Sequence, residues 1–116
     1  MTNATRIAIL IVALLHVYFL IMEMFLWTKP IGMTAFGLTP ERAESSKVLA
    51  MNQGLYNGFL AAGLLWAING GGSHVAMFFL SCVIVAGIFG GLTANKKILL
   101  VQALPGVIAL VLLHIR

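Results

Sequence analysis

Charge is what this sequence has least of. Only 9% of its 116 residues are charged while 61% are hydrophobic, and soluble domains carry about 25% charged residues. A soluble core of this length cannot absorb so much apolar surface, so an ordinary soluble domain is excluded and the bilayer becomes part of the solvent. Cysteine is nearly absent. Cys82 stands alone, which excludes an internal disulfide and a zinc site built on thiolates. There is no glycine-rich phosphate loop, no G-x-S-x-G, no H-E-x-x-H and no C-x-x-C, so the common hydrolase, metalloprotease and redox signatures are missing. A histidine–glutamate metal site lacks an obvious third strong ligand, and no second histidine shares the depth of His16 for a haem. Neither metal nor cofactor is expected. No small-x-small cleavage site follows the first apolar segment, which is also too long for a signal-peptide core, so that segment is expected to stay as a span.

What the sequence does have is apolar runs separated by short polar breaks. At about 20 residues per helical span, the chain holds four spans and little else. We expect an all-α integral membrane four-helix bundle, one transmembrane domain over residues 1–116 with antiparallel up-down spans at about 6–27, 48–68, 75–94 and 98–115. The connector Lys29 to Lys47 is polar, and its "TPE" (Thr39 to Glu41) reads as a helix start near Pro40 with Thr39 as N-cap. "NGGGS" (Asn69 to Ser73) and "NKK" (Asn95 to Lys97) are short turns. Pro105 falls inside the fourth span and predicts a bend. The net charge of +4 would suggest nucleic acid in a soluble protein. Here the basic residues flank spans, so nucleic-acid binding is rejected. Lys29, Arg42, Lys47, Lys96 and Lys97 stand on one side and Arg6 and Arg116 on the other, which places the charged loops in the cytoplasm and both termini outside.

The first span, "LLHVYFLIMEMFLW" (Leu14 to Trp27), contains two ionisable residues. His16 and Glu23 are seven residues apart and share a helical face to within about 20°. Glu23 lies roughly 6–8 Å from the cytoplasmic end of the span and His16 roughly 18 Å. Span two returns with "NQGLYNG" (Asn52 to Gly58) over the same depths, and Gln102 and Thr93 fall in the same half. The spacing therefore predicts one polar network: Glu23 and His16 as candidate catalytic proton donor and acceptor, with Asn52, Gln53, Tyr56, Asn57 and Gln102 binding a ligand. A carboxyl group and a histidine together are what proton transfer needs. The plainer reading is interhelical hydrogen bonding, worth about 0.6 kcal/mol per contact. That reading fits Asn57 and Gln102 taken singly, and packing with a satisfied hydroxyl fits Tyr56. An intramembrane carboxylate such as Glu23 is by default functional.

Gly54 and Gly58, continued by Ala62, and Gly87 and Gly91 repeat at the spacing that lets helices approach closely; spans two and three are expected to pack tightly. Trp27 and Trp66 read as interfacial belt residues. Met22 and Met24 read as lipid-facing or gap-filling.

Four segments, "LLHVYFLIMEMFLW", "NQGLYNGFLAAGLLW", "FFLSCVIVAGIFGGLT" and "VQALPGVIAL", together cover most of the chain. In them it resembles a family of small bacterial integral membrane proteins catalogued as a domain of unknown function. The resemblance implies a four-helix protein of the bacterial cytoplasmic (inner) membrane and brings no activity. Three functions are open. One is an intramembrane site in the cytoplasmic half for a small molecule or lipid, with or without proton-transfer chemistry. The second is a proton-coupled transporter, similar in plan to small multidrug exporters but without their sequence pattern. The third is a structural or accessory subunit. Four short helices enclose little volume, so a homodimer is an expected partner alongside the bilayer.

Overall fold

Threonines open two of the helices, because a hydroxyl satisfies a backbone N–H that the first turn leaves unpaired. In the computed structural model, which describes residues 1–115, helix α1 runs Asn3–Met24. The Thr5 amide donates to Thr2 Oγ1 at 3.1 Å. Short α2 follows at Pro30–Phe36, then α3 at Pro40–Trp66, α4 at Gly72–Thr93 and α5 at Leu104–His114. All described elements are helical and there are no strands among the described residues. Two helical stretches, Asn3–Met24 and Pro40–Thr93, the second broken at Asn69 and Gly70, are long and apolar enough to cross a membrane by length and composition, and Leu99–His114 is a shorter apolar helix.

Contacts among the described residues cluster into two units, one made of residues 1–15 and 60–115 and the other of residues 16–59. In the first, Ile9, Val12 and Ala13 of α1, Leu64 and Ala67, Ala76, Leu80 and Val83 of α4, and Ala109 of α5 form one buried core. Thr5, itself buried, donates its hydroxyl to the Leu112 carbonyl at 3.0 Å in the last turn of α5. Beyond Trp66 the backbone leaves helical values at Asn69 and Gly70 (φ +116°), and Gly72 also has positive φ (+86°), a region in which glycine carries no Cβ penalty. The chain reverses there, bringing Phe79 of α4 onto Gly63 of α3. Residues 99–103, just before α5, also approach α4 closely. A Cβ on Gly87 would lie 2.6 Å from the backbone nitrogen of Ala103, and one on Gly91 would lie 2.3 Å from Leu99 Cγ.

Just before α5, Leu99–Ala103 forms a wide turn in which the Leu104 N–H reaches back to the Leu99 carbonyl, one residue further than an α-helical bond. Pro105 has no N–H to offer and its ring would clash with the carbonyl four residues earlier. A widened turn resolves both problems, and it is the local form of the bend that Pro105 predicts.

In the second unit, α2 lies within the stretch read from the sequence as a polar connector. Its limits are nonetheless written there: Pro30 occupies the first turn, and Gly37 caps the end in the left-handed region (φ +64°) with its N–H on Met33 O. Gly32 is buried in α2, and a Cβ there would lie 1.9 Å from the Leu26 carbonyl oxygen. Trp27 stacks against Phe36 with ring centroids 4.9 Å apart and donates its indole N–H to Ser46 Oγ at 3.0 Å. Its indole thus ties α2 to the first turns of α3. As the T-P-E pattern predicts, α3 begins at Pro40, and the Arg42 N–H donates to Thr39 Oγ1 at 3.2 Å.

Candidate functional site

Glu23 sits one residue before the end of α1. Its position is set by the absence of side chains opposite. A Cβ on Gly54 of α3 would fall 3.2 Å from Glu23 Cβ, 3.2 Å from the Leu20 carbonyl oxygen and 2.5 Å from Met24 Cγ, and one on Gly58 would fall 2.7 Å from Leu20 Cδ1. This glycine pair therefore receives α1, where the sequence pattern predicts the neighbouring third span; Ala62 is exposed and Ala61 is the buried residue of that turn. The second pair, Gly87 and Gly91, meets residues 103 and 99. With α1 this near, Asn57 Nδ2 donates to Glu23 Oε1 at 2.5 Å. Both residues are half-buried. The geometry is a short amide–carboxylate bond between the two helices, of the stronger, charge-assisted kind when the carboxyl group is ionised.

Beside this bond lies a cavity of about 110 Å³ lined by Glu23, Met24, Phe25, Trp27, Lys47 and Met51, among others. Its lining carries a carboxyl group, an ammonium and the Thr28 hydroxyl, and the rest is thioether and aromatic. Lys47 also pairs with Glu44 across one turn of α3 at 2.5 Å, both side chains exposed.

His16 is fully buried, with its ring edge-on to Phe19 at 5.3 Å. About 10 Å of helix rise separates it from Glu23. No buried side-chain polar atom among the described residues lacks a hydrogen-bond partner, so His16 is a satisfied interior residue. Gln102 is half-buried in the widened turn. Asn52, Gln53 and Tyr56 are exposed. On α3 the direction of Asn52 and Tyr56 is nearly opposite that of Gly54 and Gly58 at about 100° per residue, and Gln53, about 40° from Asn57, makes no hydrogen bond to Glu23 among the described residues. Among the expected ligand-binding residues it brings Asn57 alone into a hydrogen bond with Glu23. Trp27 was legible only as an interfacial residue, and its place in the cavity wall follows from the unforeseen helix α2. No group of three or more His, Cys, Asp or Glu among the described residues is arranged to hold a metal ion.

Comparison with known proteins agrees with the resemblance drawn from the sequence. The family model described as "Protein of unknown function (DUF1304)" matches residues 10–114. An uncharacterized protein, YpaA, of Lactococcus lactis subsp. lactis (strain IL1403) is 35% identical over 115 residues, covering 96% of this chain and 97% of that protein. No solved structure matches the chain.

Proposed function

The chain belongs to the family of unknown function DUF1304, and on the strength of its own residues we propose that it is a four-helix integral protein of the bacterial cytoplasmic membrane that binds a small amphiphile or lipid at Glu23. The observation that carries this reading is the cavity beside the Glu23–Asn57 bond. A half-open groove of this size, with one carboxyl group, one ammonium, the Thr28 hydroxyl and otherwise Met24, Phe25, Trp27 and Met51, suits the polar head of a molecule whose apolar body lies outside it. Membrane insertion is supported by the two long apolar helices. The cytoplasmic placement of the pocket rests on the five lysine and arginine residues of the charged connectors.

Glu23 faces the cavity and holds Asn57 at once. A ligand head group that offers a donor competes with Asn57 for the same carboxyl oxygens, so binding and interhelical bonding are coupled. A purely structural role for the pair is favoured by the hydrogen bond itself and by the close Gly54 contact. The two readings part in one experiment, native mass spectrometry of the protein released from a gentle membrane mimic, wild type against Glu23→Gln. Glutamine keeps a carbonyl oxygen for Asn57, so the helix pair stays joined while the carboxyl group is lost. A discrete co-purifying mass that disappears in the variant is the expected result. Bare, folded protein in both samples overturns ligand binding and leaves the structural role.

A further inference from the structure

The polar residues that the site does not use lie together on another face of α3. Asn52, Gln53 and Tyr56 are all exposed. None of their side-chain polar atoms makes a hydrogen bond among the described residues; the one recorded contact is the Tyr56 ring against Phe59 at 6.1 Å. Their surroundings are the exposed apolar side chains of Val48, Met51, Leu55 and Phe59. Depth can be read from within the same unit. Trp27 binds Ser46, and Asn52 lies six residues further along α3, about 9 Å deeper at 1.5 Å per residue. In a membrane-spanning α3 these amides and the phenol would face hydrocarbon, where an unpaired polar group is costly and is normally turned toward protein.

We propose that this face is an interface with a second copy of the same chain, related by a two-fold axis. The inference rests on the membrane reading above. Three observations select a second copy as the occupant. Asn52, Gln53 and Tyr56 each carry both a donor and an acceptor, so the face is complementary to itself. None of the three bears a formal charge at neutral pH, so no partner of opposite charge is called for. The glycine pairs that usually bring membrane helices together are filled within the chain, Gly54 and Gly58 by α1 and Gly87 and Gly91 by residues 103 and 99, so a contact between copies falls on a different face. A two-fold interface makes each contact twice, and a polar residue at such a seam fixes its register.

The test is disulfide trapping in native membranes, in a Cys82→Ser background, with Phe59→Cys as the reporter on this face and Phe89→Cys, an exposed position of α4, as the control. Alkaline carbonate extraction comes first. Protein released by carbonate overturns the membrane reading and this inference with it. For retained protein, the expected outcome is a cross-linked dimer from Phe59→Cys and none from Phe89→Cys. Adding Asn52→Leu and Tyr56→Phe should lower the trapped fraction by about tenfold, as loss of two symmetric hydrogen bonds implies, with unchanged expression and carbonate retention. Retained protein that gives no dimer, or a dimer indifferent to those two changes, overturns the inference alone and leaves the membrane reading standing.

Discussion

Gly54 and Gly58 lie one turn apart against the same helix, yet alanine should have different effects at the two. In a helix interior, Gly→Ala is favourable by about 0.5–1 kcal/mol from the backbone alone. At Gly58 the added methyl would meet only Leu20 Cδ1, at 2.7 Å, the end of a side chain that can turn aside. The repacking cost there is about the size of the backbone gain, so Gly58→Ala should be within about 0.5 kcal/mol of wild type. At Gly54 the methyl would meet Met24 Cγ at 2.5 Å and also the Leu20 carbonyl oxygen and Glu23 Cβ at 3.2 Å. A backbone oxygen cannot rotate away, so α1 itself must retreat, at a cost toward the upper end of the roughly 1–3 kcal/mol for overpacking. Retreat also stretches the Asn57–Glu23 bond, worth about 0.6 kcal/mol in the membrane setting proposed above. We expect Gly54→Ala to be less stable than Gly58→Ala by about 1–2 kcal/mol, a shift of roughly 5- to 30-fold in the folded-to-unfolded ratio. Unfolding by titrated SDS in mixed micelles measures the difference. Equal midpoints, or a greater loss for Gly58→Ala, would refute the assignment of this glycine pair to α1.

Two further perturbations test the frame around the site. Gly87→Ala drives a methyl into the backbone of Ala103 and should cost about 2–3 kcal/mol, seen as a fall in the SDS unfolding midpoint that trimming Leu99 to alanine does not rescue. Thr39→Ala removes the acceptor for the Arg42 N–H and should cost about 1 kcal/mol. Hydrogen exchange should rise at Arg42 and Ala43 while the amides of Gly54 to Gly58 stay protected; Thr39→Ser should behave as wild type.

Punctuation was the legible part of this sequence. Thr39 and Pro40 mark the start of α3, the glycines after Asn69 mark its reversal, and Pro105 marks the irregular turn before α5, because each acts through its own backbone chemistry. The same chemistry marks Pro30 and Gly37, and α2 escapes notice only because seven residues in a polar stretch carry no apolar periodicity long enough to read. What resisted reading was which side of a helix faces what. In α1 and α4 nearly every position is apolar, so no stripe distinguishes inward from outward. A glycine pair announces a close neighbour without saying which, and Gly54 and Gly58 receive α1. Asn52, Gln53, Tyr56 and Asn57 all share the depth of the first span's polar residues. Direction around α3 separates Asn52 and Tyr56 from Asn57, and of the four only Asn57 hydrogen-bonds Glu23.

The widened turn at Leu99–Ala103 has a consequence for the numbering of everything after it. It holds one residue more than an α-helical turn would, which offsets the angular phase of α5 by about 100°. Gly106 and Ala109, both buried, are inward-facing in that offset phase. Were the same residues wound as a regular α-helix through this turn, Pro105 and Ile108 would move toward the positions that Gly106 and Ala109 now fill. The alternation of small residues along α5 is therefore written in a reading frame that the irregular turn sets, and composition alone would not detect its loss.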